Sequence, residues 1–376
     1  MTFRHAGPTD DTGLAEFFRQ VWDPAATPAS AAEARTRSAG ANPVDPGRVP
    51  PIFVAAKGDR IIGHLGTIPA RFWGGRRERG GYWLKGLMVL EEYRGGPVGF
   101  GLVREAAKLL PLSAAMVVTE PARRLFGACG FRDVGAMPNF IRPIRAGRLA
   151  ARINPTRLGL SGVPAPFFRS IAPLAQRLGV AWAGGALIGG LLRVRAASSR
   201  PFGGSAAGLP ANDALDGLWR LGRRTLVAGA VRDAAEINAR YVEAADGAYR
   251  VGSAVNSSGV LLGVAVVRVP RANPDPRLEG LVVASLSDLW FDLENPAAGL
   301  ATLGVAEGIA RSLGADALLY SNGHRAVLPL LRAQGYFRLG GNVHLLTRDV
   351  DGQCRWPESL SDWWVSRGDA KSDEVF

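Results

Sequence analysis

The sequence predicts an α+β (mixed α/β) protein with two similar halves in tandem. Three observations carry this reading. Strand-like and helix-like patterns alternate over the first 150 residues, the same order returns over residues 211–350, and short identities recur at a spacing of 205. At that spacing Leu125-Phe-Gly-Ala-Cys-Gly-Phe131 falls on Leu330-Leu-Arg-Ala-Gln-Gly-Tyr336, Gly99 on Gly304 and Gly135 on Gly340. A chain of 376 residues is long enough to bury two cores.

Taken in order, Thr2–His5 reads as a short strand. Asp10-Asp11-Thr12 can cap a helix whose Leu14, Phe17, Phe18 and Val21 share one side. Residues 27–51, rich in Pro, Ala and Ser, read as a loop. Ile52–Ala56 and Ile61–Ile68 flank Lys57-Gly58-Asp59-Arg60, a hairpin signal. Trp83–Leu90 is a further strand, joined by Arg94-Gly95-Gly96-Pro97-Val98-Gly99-Phe100-Gly101 to a helix-like run, Leu102–Leu110. Ala114–Thr119 is a strand, and Pro121 opens a helix, Ala122–Cys129, that Gly130 ends. In the second half Leu215–Leu221 and Ala234–Val242 read as helices. Tyr249–Asn256 and Val260–Val269 are strands around a Ser257-Ser258-Gly259 turn. Leu281–Asp292 and Ala317–Ser321 are strands, Ala297–Leu313 and Arg325–Ala333 helices, the last closed by Gly335.

Composition narrows the function. Cys129 and Cys354 are the only cysteines and histidines number four, which gives no disulfide framework and little for a metal site. The start, Met1-Thr2-Phe3-Arg4-His5, lacks a signal pattern, so a cytoplasmic location is expected. The net charge of +12 is concentrated: residues 142–210 hold ten arginines and no Asp, Glu or Lys. A general nucleic-acid surface is therefore not expected, and interleaved stacking aromatics are missing from the basic strip. Leu178–Leu192 carries no charge and is flanked by Arg177 and Arg193. At 15 residues it is short of the roughly 20 that cross a bilayer. It reads first as a helix buried between the halves, and residues 166–195 also permit peripheral contact with an anionic membrane.

The glycine-rich bend is the strongest chemical signal. Such a bend between strand and helix lets backbone N–H groups converge on a phosphate at the helix's positive end. Val89-Leu90-Glu91-Glu92-Tyr93-Arg94-Gly95-Gly96-Pro97-Val98-Gly99 is similar to the strand-to-helix segment of the GNAT acyltransferases, with its Arg/Gln-x-x-Gly-x-Gly/Ala signature. Arg123-Arg124-Leu125-Phe126-Gly127-Ala128-Cys129-Gly130-Phe131 resembles that family's closing segment. The resemblance covers residues 1–145 well and 211–350 weakly. It implies two tandem GNAT-like domains, each a mixed, mostly antiparallel sheet that splays in the middle and is flanked by helices. Residues 1–145 would form the acyl-CoA-binding domain, 146–210 a basic apolar linker, 211–350 a degenerate domain and 351–376 a tail.

The resemblance further implies acetyl-CoA, or another acyl-CoA, as co-substrate. Its pantetheine would pair with Met88, Val89 and Leu90, and its diphosphate would rest on Arg94, Gly95, Gly96, Val98, Gly99 and Phe100. An aspartate at Gly99 is then expected to block binding without unfolding the chain. Two departures stand out. Pro97 replaces the second signature glycine and removes one N–H donor. Phe126 occupies the place where many members carry a tyrosine that protonates the departing thiolate, and Leu331 takes that place in the second half.

Glu91 and Glu120 are the candidate bases that would deprotonate an attacking amine, against a reading of Glu91 as solvated loop charge. Glu92 and Lys85 flank the same strand. His64 reads as a packed or surface histidine, Cys129 as packing, and Arg240 and Tyr241 as lining an acceptor pocket or as structure. Asn295-Pro296-Ala297-Ala298-Gly299 matches the phosphate loop and has one glycine and no arginine, so the second half is expected to support, not to bind CoA. The expected activity is an N-acetyltransferase acting on an amine or hydroxyl acceptor, a small molecule or glycan of envelope or exopolysaccharide synthesis. The alternatives are a non-catalytic acyl-CoA-binding scaffold and a relative of the peptidoglycan-branching aminoacyltransferases.

Overall fold

The computed structural model describes residues 1–36, 42, 44–45, 47–117, 119–152, 180–198, 204–243, 247–270, 278–352 and 354–373. It divides into two compact units. Unit 1 is Met1–Ala136, Ala228–Val231 and Asn342–Ser359; unit 2 is Met137–Val227, Arg232–Gly341 and Leu360–Phe376.

In unit 1 the sheet runs in the order β1 (Thr2–His5), β2 (Phe53–Lys57), β3 (Arg60–Gly74), β4 (Arg77–Val89), β5 (Leu112–Val117), β15 (His344–Asp349), β6 (Arg132–Ala136). Every pairing is antiparallel except β4 with β5. The β3–β4 hairpin reaches farther than the apolar runs indicate, because Gly75 and Arg76 both take positive φ (58° and 62°) and form a tight two-residue turn. Ala228–Ala230 (β9) adds to the far end of β3. Helices α1 (Asp11–Val21), α2 (Pro28–Thr36), α3 (Val98–Leu109) and α4 (Glu120–Ala128) belong to this unit. Leu14, Phe17 and Phe18 of α1 and Val98, Leu102, Val103 and Ala106 of α3 are buried in one core with Phe53, Leu65 and Leu84.

Unit 2 repeats that order: β8 (Gly204–Ala207), β10 (Tyr249–Val255), β11 (Leu261–Arg268), β12 (Val283–Phe291), β13 (Ala317–Ser321), β7 (Asn139–Pro143), β14 (Phe337–Leu339). The parallel pair is β12 with β13, bridged by the helix Pro296–Ser312 as α3 bridges β4 and β5. The tandem reading therefore describes the chain, with one rearrangement. The strand between β5 and β6 comes from residues 344–349, and the strand between β13 and β14 comes from residues 139–143. Each half lends the other one strand. A cut at residue 145 would take β7 from its sheet, and a cut at 350 would do the same to β15.

Residues 360–373, read from sequence as part of a tail, are core instead. Trp363, Trp364, Val365, Ser366, Arg367, Asp369 and Ala370 are buried. β12 pairs with β13 only over Val283–Leu286, and the C-terminal segment lies against its continuation. There the Trp364 indole N–H donates to Leu289 C=O (3.0 Å) and the Ser366 hydroxyl donates to Asp288 (3.2 Å). Arg232 holds Asp288 and Asp369 together at 2.9 and 2.8 Å, while Arg240 joins Asp369 at 3.3 Å to Glu236 at 3.1 Å. The Tyr241 hydroxyl donates to Asp288 at 3.1 Å, so Arg240 and Tyr241 are structural here. Burial opposes ionisation of Arg232, yet the two aspartates outweigh it and hold its pKa above the ordinary value. Arg232→Ala would leave both carboxylates buried beside an empty space. It is expected to cost about 3–5 kcal/mol in urea unfolding; a loss under about 1 kcal/mol would contradict this account of the segment.

Candidate functional site

The site begins with an unfinished strand pairing. β4 and β5 are in register only over Tyr82–Leu84 with Ser113–Ala115, although β4 continues to Val89 and β5 to Val117. Among the described residues, Gly86–Val89 has no strand on its β5 side. Within this stretch β4 bulges: His64 faces Met88 while Gly66 faces Lys85, so Gly86 and Leu87 together oppose Leu65. Gly86 takes φ +63°, the conformation such a bulge asks of a glycine. His64 fixes it, its Nδ1–H donating to Gly86 C=O at 3.0 Å. The imidazole is boxed by Phe17, Phe18 and Trp22, and burial pushes its pKa down to about 4. It is therefore a neutral clamp at neutral pH.

Beyond Val89 the chain crosses to α3. Leu90 is buried and its N–H donates to Ile62 C=O (3.1 Å), so it serves β3, while Met88 and Val89 remain half-buried on the open stretch. Glu91–Tyr93 form one helical turn, and Arg94 Nε returns to Val89 C=O at 3.1 Å. Gly95 takes φ +79° with nothing within 4 Å of a Cβ built on it. Pro97 is the cap and Val98 the first helical residue; Gly101 N–H closes the first turn on Pro97 C=O (2.9 Å). This leaves the N–H groups of Val98, Gly99 and Phe100 without acceptors inside the helix, at its positive end. Gly96 N–H instead turns to Tyr93 C=O at 3.4 Å.

Gly99 serves packing. A Cβ there would stand 2.9 Å from Leu125 Cδ1 of α4. Gly63 of β3 meets Val98 and Leu102, and Gly101 meets the Phe3 ring, in the same way. Gly299 meets Leu330 in unit 2, so the structural counterpart of Gly99 is Gly299, not the Gly304 that the spacing of 205 indicates. An aspartate at Gly99 would therefore fit only if the Leu125 side chain moved aside.

The two carboxylates singled out from sequence are both exposed. Glu91 lies in the turn after β4. Glu120 opens α4, where Arg124 and Arg123 hold it at 3.0 and 2.7 Å; the Arg124 hydrogen bond leads in drawing its pKa down. Sequence reading missed a second group. His344, brought in on β15 opposite Val117 at the end of β5, has Nδ1 3.0 Å from Asp133 of β6. Arg123 NH1 lies 3.2 Å from its Nε2. Asp133 and His344 are 211 positions apart, and only the lent strand joins them. Phe126 is buried edge-on to Phe131 (5.0 Å), and Cys129 packs on the same core, where burial raises its thiol pKa.

The corresponding place in unit 2 is closed from within. Asn295 caps the helix Pro296–Ser312, its side chain accepting from Ala298 N–H (3.1 Å), and residues 364–370 fill the space beside β12.

In unit 1, then, a strand-edge gap leads to an open helix N-terminus. Residues 16–131, a stretch of unit 1, match the acetyltransferase (GNAT) family. Among solved structures it is similar to a conserved Enterococcus faecalis V583 protein of unknown function (Probable N-Acyltransferase), with 8% identity and TM-score 0.56 over 93% of this chain and 73% of that one. It is also similar to Saccharomyces cerevisiae N-myristoyltransferase with bound myristoyl-CoA, with 10% identity and TM-score 0.53 over 80% and 69% of the two chains. No curated protein matches by sequence.

Two outcomes follow from this geometry. Gly99→Ala should destabilise unit 1 by about 1–3 kcal/mol in denaturant unfolding through overpacking against Leu125; an unchanged midpoint would show that Gly99 is not a packing glycine. The unfolded chain binds a proton on a histidine near pH 6.5, whereas folded His64 resists until about 4. Stability is thus fully present above about pH 6.5 and lost as pH falls toward 4, by on the order of 3 kcal/mol. His324 of unit 2, also lowered to about 4 by burial, adds to the same slope. His64→Asn should flatten part of it in pH-dependent unfolding; an identical slope would contradict the assignment.

Proposed function

We propose that unit 1 binds an acyl-CoA and transfers its acyl group to an amine or hydroxyl acceptor. The observation that carries this is the free stretch Gly86–Val89 of β4 running directly into the open N-terminus of α3. An extended pantetheine amide chain suits the first, as an added strand. A diphosphate suits the second, received by the N–H groups of Val98, Gly99 and Phe100 with the Gly95-Gly96 backbone beside them and Arg94 adding charge. Met88 and Val89 line the stretch, and Leu90 anchors its end to β3. Acetyl-CoA, with its short acyl group, is our first assignment; longer acyl chains are the alternative to compare.

The acceptor nitrogen attacks the thioester carbon, the C–N bond forms, the C–S bond breaks and CoA leaves as thiolate. We assign the acceptor's proton to His344 Nε2, with Asp133 orienting the ring through Nδ1 and Arg123, now 3.2 Å from Nε2, moving aside to free it. Glu91 and Glu120 are the weaker assignments, since both are exposed and Glu120 is engaged by two arginines. An amine on a small molecule or an envelope glycan is the acceptor class we favour. Phe126, buried where it can donate no proton, favours a second reading in which the chain holds acyl-CoA without turning it over.

Calorimetry with acetyl-CoA, coupled to thiol release over a panel of amines, separates the two. Saturable binding with turnover is expected. Gly96→Asp, on the exposed loop, should weaken binding at least tenfold or so without lowering the melting temperature, because it places an anion beside the diphosphate. His344→Gln should lower kcat about 10²–10⁴-fold and leave the acetyl-CoA Kd unchanged. Binding without turnover supports the scaffold; no binding ends both readings.

A further inference from the structure

A second cavity lies within unit 1, at the other end of the sheet from the β4–β5 gap. It encloses about 440 Å³, and Gly130, Arg132, Arg348, Asp349, Arg355 and Trp356 are among the residues that line it. On β15, Arg348 pairs with Ser113 near the start of β5, whereas His344 pairs with Val117 at its end. Four residues of strand, roughly 13 Å, separate the two. The cavity is shaped from both sides. Gly130 ends α4 with φ +84°; its N–H returns to Gly127 C=O (3.0 Å) and Phe131 N–H to Phe126 C=O (3.1 Å), so two of the last helical carbonyls are engaged. Opposite them, the loop after β15 is tied down. Cys354 N–H donates to Asp349 at 2.8 Å, and Arg132 donates to the C=O groups of Trp356, at 3.2 Å, and Pro357. Trp356 packs edge-on to Phe72 (5.7 Å) and against Gly74, where a Cβ would stand 2.9 Å from its ring.

Charge narrows what fits. Three arginines line the cavity against one carboxylate, that of Asp349. Arg132 has Glu358 at 3.7 Å, itself 94% exposed. Arg348 gives one N–H to Leu110 C=O (3.2 Å), an acceptor that neutralises no charge. Arg355 is exposed and makes no hydrogen bond or ion pair with any described residue. Two guanidiniums thus meet the cavity with no carboxylate of their own. A cation would be repelled there, and a neutral ligand would leave both arginines to water. A phosphate monoester brings nearly two negative charges at pH 7 and three acceptor oxygens, which planar guanidiniums meet in pairs. A lone phosphate would leave most of the volume to water. Trp356 offers an apolar wall for an organic body attached to it.

We propose that this cavity binds a small organic phosphate, with Arg348 and Arg355 holding the phosphate group and Trp356 flanking the body. The site is separate from the gap beside β4, so a failure of acyl-CoA binding leaves it standing, and the reverse. The peripheral membrane contact read from residues 166–195 falls partly outside the described residues, at 166–179. No helix among the described residues is long and apolar enough to cross a membrane.

The test is calorimetric titration of the full chain with adenosine monophosphate, beside inorganic phosphate and adenosine. The monophosphate should bind saturably, at least about tenfold tighter than either, and more weakly as salt is raised. Arg348→Gln with Arg355→Gln should weaken it by at least about tenfold, with circular dichroism unchanged. If that variant unfolds, Arg355→Gln alone, at an exposed position, is the second arm and should weaken binding about threefold or more. Gly96→Asp, on the bend before α3, should leave the monophosphate's affinity as it is. Loss of binding in Gly96→Asp with wild-type affinity in the arginine variants overturns the proposal, since the phosphate then sits at α3. So does no binding of the monophosphate, binding of adenosine or inorganic phosphate as tight as its own, or wild-type affinity in both arginine variants.

Discussion

Three residues of parallel pairing, Tyr82–Leu84 against Ser113–Ala115, decide what this molecule can do. Had β4 and β5 stayed in register to their ends, every N–H and C=O between them would be satisfied and unit 1 would be a closed sheet. Because they part, β4 keeps a row of peptide groups inside the protein that demands a partner. The bulge at Gly86, clamped by neutral His64, holds that row in shape. Unit 2 meets the same demand with its own chain, offering the Trp364 indole and the Ser366 hydroxyl to β12 and Asp288. The two units thus show the same opening in two conditions, one answered internally and one open among the described residues.

The helix that ends at this opening is placed by contacts that side chains would forbid. Gly63 lets Val98 and Leu102 of α3 close on β3, and Gly99 and Gly101 let Leu125 and Phe3 close on α3. Glycines at such a bend are commonly credited to a ligand, but here the open position is Gly95, while a Cβ at Gly96 would stand 3.3 Å from Tyr93 C=O. The distinction is one of free space: nothing lies within 4 Å of a Cβ at Gly95, whereas one at Gly99 meets Leu125.

Much of the fold was legible because its signals are local. Lys57–Arg60 and Ser257–Gly259 turn where the sequence says they do, and Gly130 and Gly335 end their helices with φ +84° and +76°. The repeated order of elements was visible for the same reason. The β3–β4 hairpin was underestimated because Pro69–Tyr82 mixes glycines and charges that only a long twisted ladder accommodates. The bend between β4 and α3 could be read, since backbone geometry follows from Gly and Pro. The Asp133–His344 pair could not, for it depends on a strand lent across the sequence, which no periodicity announces. The buried C-terminal segment was hidden likewise: Asp369 looks like a solvated charge until Arg232 and Arg240 are known to hold it.

The exchange of β7 and β15 has a consequence for biosynthesis. While the chain emerges from the ribosome, β5 and β6 have no pairing with one another, and each waits with a bare edge until His344–Asp349 has been made. The first 136 residues therefore cannot complete their own sheet, however much of their apolar core has gathered. Unit 1 completes its sheet only once residues 344–349 have been made, and a product truncated before them would expose unpaired strand edges.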